Sequence, residues 1–290
     1  MRFAVCLSLV PDPDTIEIDP LTGEIDAERT LHILDPADAA ALEMALRLRR
    51  SGDTVMALTV GPVEAEQVLR EALAAGADSA LRLWDEARTS TKPAVTSMLL
   101  AAGLRTEGLP DLVVCGWRSL ARASGKLPAL LGEYLGWPVV TDITQLDIQA
   151  ARVSFQRRLA RGGRSEGEVT MPAVLAVAAD NVRLRYAGLP GLMQSRRATI
   201  PVRDLPDLGL SPLDLNFPAS TVHAATPPRP RPRTIFIPDS TLSPDERIGQ
   251  ILSAGVSSRS AAQVIEGPPE AMADAIIAFL ADHGFLEQPA

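Results

Sequence analysis

The residues best placed to do chemistry in this sequence lie in one turn, Cys115-Gly116-Trp117-Arg118-Ser119-Leu120-Ala121-Arg122-Ala123-Ser124-Gly125-Lys126. It follows an apolar run and leads into a helical one. A helix starting near Ser124 offers free backbone N–H groups and the positive end of its dipole to an anion. Ser124, Lys126, Arg118 and Arg122 add donors and charge, and the chemistry suggested is phosphate binding. The turn is not a P-loop, because its glycines are wrongly spaced and the lysine follows a single glycine. A solvated basic turn with Ser124 as a plain N-cap competes with this reading, and residue types alone leave both open.

Two smaller features share that ambiguity. Asp35-Pro36 precedes apolar residues at Ala37, Ala40, Ala41, Met44, Ala45 and Leu48, so Asp35 is placed as the N-cap and Pro36 as the first helical residue. Capping explains the pair, and a ligand at the same helix end is the alternative. Gly61 could allow close approach of an adenine or ribose, or form a plain strand-to-helix turn. Catalysis leaves no constellation: no Ser sits in a nucleophile elbow, and neither cysteine has a histidine partner. Asp38, Glu43, Glu64, Glu66 and Glu71 are expected on solvated helix faces. Cys6 and Cys115 lie in apolar runs and read as buried thiols on two strands rather than a disulfide. His32, His223 and His283 lack ligand spacing, which argues against a zinc site. NVRLRYAGLPGLMQSRR, residues 181–197, holds Leu184, Tyr186, Leu189, Leu192 and Met193 in a stretch that Gly188, Pro190 and Gly191 keep from being regular. It reads as a loop folding back on the core, or as an exposed loop with an apolar anchor between arginines.

The elements that must position these residues alternate between two periods. Apolar strand-like runs at residues 2–10, 54–60, 79–84 and 111–115 are separated by helical patterns at 36–48, 63–75 and 93–102, with a further helix at 125–135. The 93–102 helix is expected to end at Gly103. Strands alternating with helices imply βαβ units and a mostly parallel sheet covered on both faces. Such sheets bind ligands beyond the carboxyl ends of their strands. Residues 143–148, 151–159 and 167–170 form an antiparallel excursion, and 171–178 returns as one more strand. Three divisions follow: an α/β domain at 1–178, a loop and extended arm at 179–228, and a Pro/Arg linker with a helical tail at 229–290. The linker, around PPRPRPR at 227–233, is stiffened by proline and like charge. Helices are expected at 244–253 and 269–282. A tail with so little repeating pattern must pack on the main domain or on another chain.

With 290 residues, 46% of them hydrophobic, the chain can bury a sizeable core, and at 4% aromatic that core is aliphatic. The net charge of −8 speaks against nucleic acid or an anionic membrane as partner. No signal segment is evident and no apolar stretch nears the roughly 20 residues of a membrane span, so a soluble cytoplasmic protein is expected.

Taken in order, these segments resemble the β subunit of electron-transfer flavoproteins, the FixA family. FAVCLSLVPD matches the family's opening strand and Val-Pro-Asp turn, and DPADAAALEMALRLR its first helix. Val60-Gly61-Pro62 and residues 71–78 match a turn and a helix end. RYAGLPGLM at 185–193, followed by Arg196-Arg197, matches the family's Arg-Tyr-x-x-Leu-Pro-x-Ile/Leu-Met block. The resemblance runs from Arg2 to about Pro206 and resumes near Arg259. It implies an adenine-nucleotide α-hydrolase-like α/β fold with an irregular C-terminal arm, and a subunit without an active site of its own. It also implies a heterodimer with a FAD-carrying α subunit, with AMP or, in bifurcating members, a second FAD held in the β subunit. Electrons would come from flavin dehydrogenases of the acyl-CoA dehydrogenase type, as in fatty acid oxidation, and pass to a membrane quinone oxidoreductase. By position, the nucleotide contacts fall on Cys6, Asp35, Pro36, Ala37, Asp38, Val60, Gly61, Gly116, Arg118, Arg122, Ala123, Ser124, Gly125, Lys126 and Leu127. Partner recognition falls on Tyr186, Leu189, Pro190, Leu192 and Met193, with Leu189 as the anchor.

The departures are specific. Ala121 and Ala123 stand where the family has loop aspartates, Arg118, Arg122 and Lys126 make the loop more basic, and Asp35 replaces an asparagine. Residues 229–258 have no counterpart in the ordinary β subunit. A stand-alone nucleotide-binding regulator resembling universal stress proteins is the rival from another class; it explains the first 140 residues but not the RYAGLPGLM block.

Overall fold

The computed structural model of the chain describes residues 1–19, 23, 25–26, 29–85, 92–179, 182–215, 241–252, 267–283 and 285. The first half runs β1 (Arg2–Leu7), β2 (Leu9–Pro11), β3 (His32–Leu34), α1 (Pro36–Leu48), β4 (Thr54–Val60), α2 (Glu66–Ala75), β5 (Ser79–Leu83), α3 (Pro93–Thr106), β6 (Leu112–Gly116) and α4 (Lys126–Leu135). Then follow β7 (Val139–Gln149), β8 (Arg152–Arg158), β9 (Arg164–Thr170), β10 (Ala173–Val177), α5 (Leu189–Arg197) and β11 (Val202–Arg203).

Nine strands form one sheet in the order β11-β5-β4-β1-β6-β10-β7-β8-β9. Pairing is parallel from β11 to β7 and antiparallel through β8 and β9. The parallel strands are apolar throughout because helices cover both faces. Phe3, Val5, Val55 and Leu112 pack with Leu42 of α1 and Leu69 of α2. Ala4, Cys6, Val113 and Cys115 pack with Leu99 and Leu104 of α3 and Leu131 of α4. From β1 the chain winds outward through β4 and β5, then crosses back to place β6 on the other side of β1. That reversal opens a crevice at the carboxyl ends of β1 and β6.

Four expectations are corrected. The run at residues 2–10 is two strands: β1 stops at Leu7, and Leu9 to Pro11 pair antiparallel with β3 in a separate ribbon. β3 is three residues long, too short to show a period. The third helix does not end at Gly103 but runs to Thr106. Gly103 serves packing, since a Cβ there would lie 2.9 Å from Leu83 Cδ1. Asp38 and Glu43 are not on a solvated face but are 9% and 3% exposed. Residues 189–197 are not a loop but the helix α5, lying against α2 with Gly191 so close that a Cβ would sit 2.6 Å from the Ala74 carbonyl oxygen. Of the five apolar residues singled out at 181–197, Leu184 does fold back on the core, whereas Tyr186, Leu189, Leu192 and Met193 are exposed, so the fold-back alternative holds only for Leu184. Both cysteines are free and buried, as expected.

Residues 1–226 group into one unit and 227–290 into another. The second contains α6 (Pro244–Leu252) and α7 (Pro269–Asp282), where the sequence placed helices. The PPRPRPR linker lies outside the described residues. Among those described, no helix is long and apolar enough to cross a membrane.

Gly103→Val should lower stability by about 1–3 kcal/mol, the usual penalty for overfilling a packed core. Urea denaturation of the variant checks this, and an unchanged midpoint would mean Leu83 can give way.

Candidate functional site

Two carboxylates at the start of α1 organise the crevice. Asp35 caps the helix, its Oδ1 accepting from the Ala37 N–H at 2.9 Å, and its Oδ2 accepts from the Leu120 N–H at 2.7 Å. Asp38 Oδ1 accepts from the Gly116 N–H at 2.8 Å, and Oδ2 from the Ser8 hydroxyl at 2.5 Å. Together they tie the end of β1 and the turn after β6 to one helix end. The fit is tight at Gly116, where a Cβ would lie 2.6 Å from Ala37 Cβ.

Above them is a cleft of about 100 Å³ walled by the ends of β1, β4 and β6, by α3, and by the turn into α4. It brings together Cys6, Asp38, Val60, Gly116, Ser124, Gly125, Lys126 and Leu127 from the residues singled out in the sequence. Asp35 lies beneath it, Ala37 is packed against Gly116, and Pro36 is exposed at the helix start. Gly61 makes a close strand-to-helix turn, 2.7 Å from Ala65 by the same Cβ test. Arg118 lies over the Trp117 ring at 5.4 Å. Arg118, Arg122 and Ala123 are exposed on the turn outside the cleft walls. Sequence reading missed Ser8, Thr96, Leu100 and Pro128 among the lining residues. Thr96 and Leu100 come from α3, which only the fold brings here; for Ser8, the break after Leu7 was the available signal.

The helix start also needs correcting. α4 spans Lys126–Leu135, within one residue of the helix expected at 125–135, but Ser124 is not its N-cap: Gly125 occupies the cap position in the left-handed conformation, φ +59°. A Cβ on Gly125 would approach the Trp117 ring at 3.1 Å. No side chain caps α4. Its first N–H groups, those of Lys126 and Leu127, have no partner within the helix, and Pro128 has none to offer. Because Asp35 and Asp38 occupy the Leu120 and Gly116 amides, an anion would be received at the α4 end, by these N–H groups and the Lys126 ammonium. Ordinary ligand pockets enclose roughly 300–1,000 Å³, so a nucleotide seated here would extend beyond the walls.

A larger hollow, of about 550 Å³, lies over one face of β7 to β9. Several of its polar side chains are already engaged, with Gln156 donating to Glu166, Arg152 to Glu168 and Arg164 to Gln156. It reads as a solvated sheet face. Among the described residues no group of His, Cys, Asp and Glu could hold a metal ion.

Residues 22–208 match the sequence model of the electron transfer flavoprotein domain. The Caffeyl-CoA reductase-Etf complex subunit CarD of Acetobacterium woodii is 34% identical over 214 residues, 73% of this chain and 81% of that protein. The electron transfer flavoprotein subunit beta of Methylophilus methylotrophus is 29% identical over 248 residues, 84% of this chain and 88% of that protein. Protein FixA of Azotobacter vinelandii is 29% identical over 240 residues, 80% and 85% of the two chains. The chain belongs to the electron-transfer flavoprotein family, in its β subunit and FixA branch. That membership covers the RYAGLPGLM block as well as the α/β core, and it displaces the stand-alone regulator.

In this flavoprotein subunit the cleft floor is electrostatically loaded. Burial, followed by the neighbouring charge of Asp35, pushes Asp38 up to about 7, against the hydrogen bonds from Ser8 and Gly116. Burial pushes the Cys6 and Cys115 thiols up, so both stay protonated and unreactive. Between an ordinary carboxylate value and about 7, the folded chain binds more protons at Asp38 than the unfolded one does. Stability from this group therefore falls as pH rises through that window and levels off above it.

Asp38→Asn keeps an acceptor for Gly116 and removes the charge. Its melting temperature relative to wild type should rise between about pH 4 and pH 7 and level off above that. A difference that does not change with pH would show that Asp38 does not titrate in this range.

Proposed function

We propose that the chain is the β subunit of a heterodimeric electron-transfer flavoprotein, holding AMP at the α4 end and helping an α subunit to hold FAD. The flavin supplies the redox chemistry when bound; this chain's residues bind, orient and present. What carries the reading is the uncapped α4 start. Gly125 and Lys126 line the cleft there, an arrangement that suits a phosphate. The part of a nucleotide beyond the cleft would be covered by the α subunit. On the flank of the same unit, α5 exposes Leu189 at 70% together with Leu192 and Met193, with Tyr186 exposed just before it and Arg196 and Arg197 in its last turn. That apolar patch rimmed by cations suits a flavin dehydrogenase as electron donor, of the acyl-CoA dehydrogenase type, with a membrane quinone oxidoreductase as acceptor.

A second reading is a bifurcating subunit whose cleft takes the diphosphate of a second FAD. The basic composition of the turn favours it, with Arg118, Arg122 and Lys126 present and alanine at 121 and 123 where the family's loop has aspartates. Co-expression with the α subunit, followed by denaturation and quantification of released nucleotides, separates the two. One FAD with one AMP per heterodimer supports the first, and two FAD support the second. A stable nucleotide-free monomer that ignores the α subunit overturns both.

The double substitution Arg122→Glu with Lys126→Glu should expel the β-site nucleotide and lower the heterodimer's melting temperature, because a ligand bound to the native state stabilises it by mass action. Unchanged stoichiometry would make the turn a basic surface only. Leu189→Ala removes an anchor whose burial contributes roughly 1.5–3 kcal/mol. It should slow electron transfer from the dehydrogenase by about tenfold, with FAD content and melting temperature near wild type. A large loss of stability would refute the docking role.

A further inference from the structure

α5 is an odd helix for its sequence. It has nine residues, proline and glycine in its first turn, and one buried residue, Ser195. Isolated helices shorter than roughly 12–15 residues are marginal, and the apolar side chains that could dock this one face outward. Polar contacts hold it instead.

At its entry, the Glu43 side chain, 4% exposed, accepts from Arg185 three times: from the backbone N–H at 3.1 Å, Nε at 2.9 Å and Nη2 at 3.2 Å. Arg47 Nε donates to the same carboxylate at 2.7 Å. Burial would raise Glu43, but these arginine contacts outweigh it and hold its carboxyl below the usual range. Arg185 is thereby fixed by main chain and side chain together, and the next residue, Tyr186, is fully exposed. At the exit, Arg70 Nη1 donates to the carbonyls of Ser195 at 2.8 Å, Ala198 at 3.2 Å and Arg196 at 3.4 Å. A cation there also complements the negative end of the α5 dipole. Arg70 is braced by Glu66, whose other oxygen accepts from Arg82 of β5 at 3.2 Å. Between the two ends, Gly191 rests on the Ala74 carbonyl.

We propose that Glu43 and Arg70 are positioning residues that hold α5 formed and outward-facing before a partner arrives. The proposal rests on the reading of α5 as the docking face. A preformed helix spares the partner the ordering of this segment, which would otherwise weaken association.

The test uses the αβ heterodimer carrying Glu43→Gln, Arg70→Met, Arg70→Lys or Leu189→Ala. Hydrogen exchange is followed at residues 189–197 and in β1 and β6. An acyl-CoA dehydrogenase reduced by its substrate serves as electron donor, with KM for the heterodimer and kcat measured separately. Glu43→Gln and Arg70→Met should speed exchange across α5 by about tenfold, a loss of about 1.4 kcal/mol in local opening. They should raise KM while leaving kcat, FAD content and exchange in β1 and β6 as in wild type. Arg70→Lys, which keeps the charge but not the fork, should fall between. Unchanged exchange in α5, or an equal rise in the central strands, overturns the proposal. If Leu189→Ala raises KM and the Glu43 and Arg70 variants do not, the docking reading stands and the proposal fails. If Leu189→Ala leaves KM unchanged, or wild type accepts no electrons from this donor, the docking reading falls for that donor class and takes the proposal with it.

Discussion

The N-terminus of α1 is the constraint on which the rest of the site depends. Two carboxylates are buried there within one helical turn, an arrangement that is unfavourable unless each oxygen finds a donor. Here the four oxygens accept from Ala37, Leu120, Gly116 and Ser8. The positive end of the helix dipole adds to that compensation. The geometry is exacting: α1 approaches β6 closely enough to exclude a side chain at Gly116. Once those amides are engaged, the turn after β6 has little freedom, and its far end delivers Gly125 and Lys126 to the cleft. The proton carried by Asp38 near neutrality follows from the same crowding rather than from any catalytic need.

α1 serves a second surface from its other end. Glu43 lies two turns along the same helix and holds Arg185, four residues before the start of α5. One helix thus anchors both the cleft and the segment before the outward-facing apolar face. The two anchors are of different kinds. At the cleft, carboxylates bind backbone amides and fix a loop. At α5, carboxylate and guanidinium groups substitute for the apolar burial that ordinarily fixes a helix. This leaves Leu189, Leu192 and Met193 exposed, the kind of apolar surface that the proposed docking role would cover.

The sequence by itself determined the α/β class, the parallel sheet with its antiparallel excursion, and the family, because these rest on periodicity and ordered motifs. Alternating apolar runs and helical stripes could only be buried on two covered faces, and Asp35-Pro36 announced its helix start by local capping chemistry. It also pointed to the turn after β6 and to the RYAGLPGLM block. Tertiary structure decided what those segments do in space. Whether Asp38 and Glu43 face water depends on what packs beside α1, and both lie at the margins of its apolar stripe, where periodicity does not discriminate. Gly103 reads as a helix stop by propensity, yet the helix runs on to Thr106, and the glycine leaves room for Leu83 instead. α5 lacks the apolar period that would announce a helix because its stability comes from Glu43 and Arg70, distant in sequence and invisible to any local rule. That Gly125, close to Trp117, and not Ser124 takes the cap position of α4 was likewise visible only in the packed chain. Local patterns encode which elements form; only the packed chain fixes which polar groups meet, because those contacts join residues far apart in sequence.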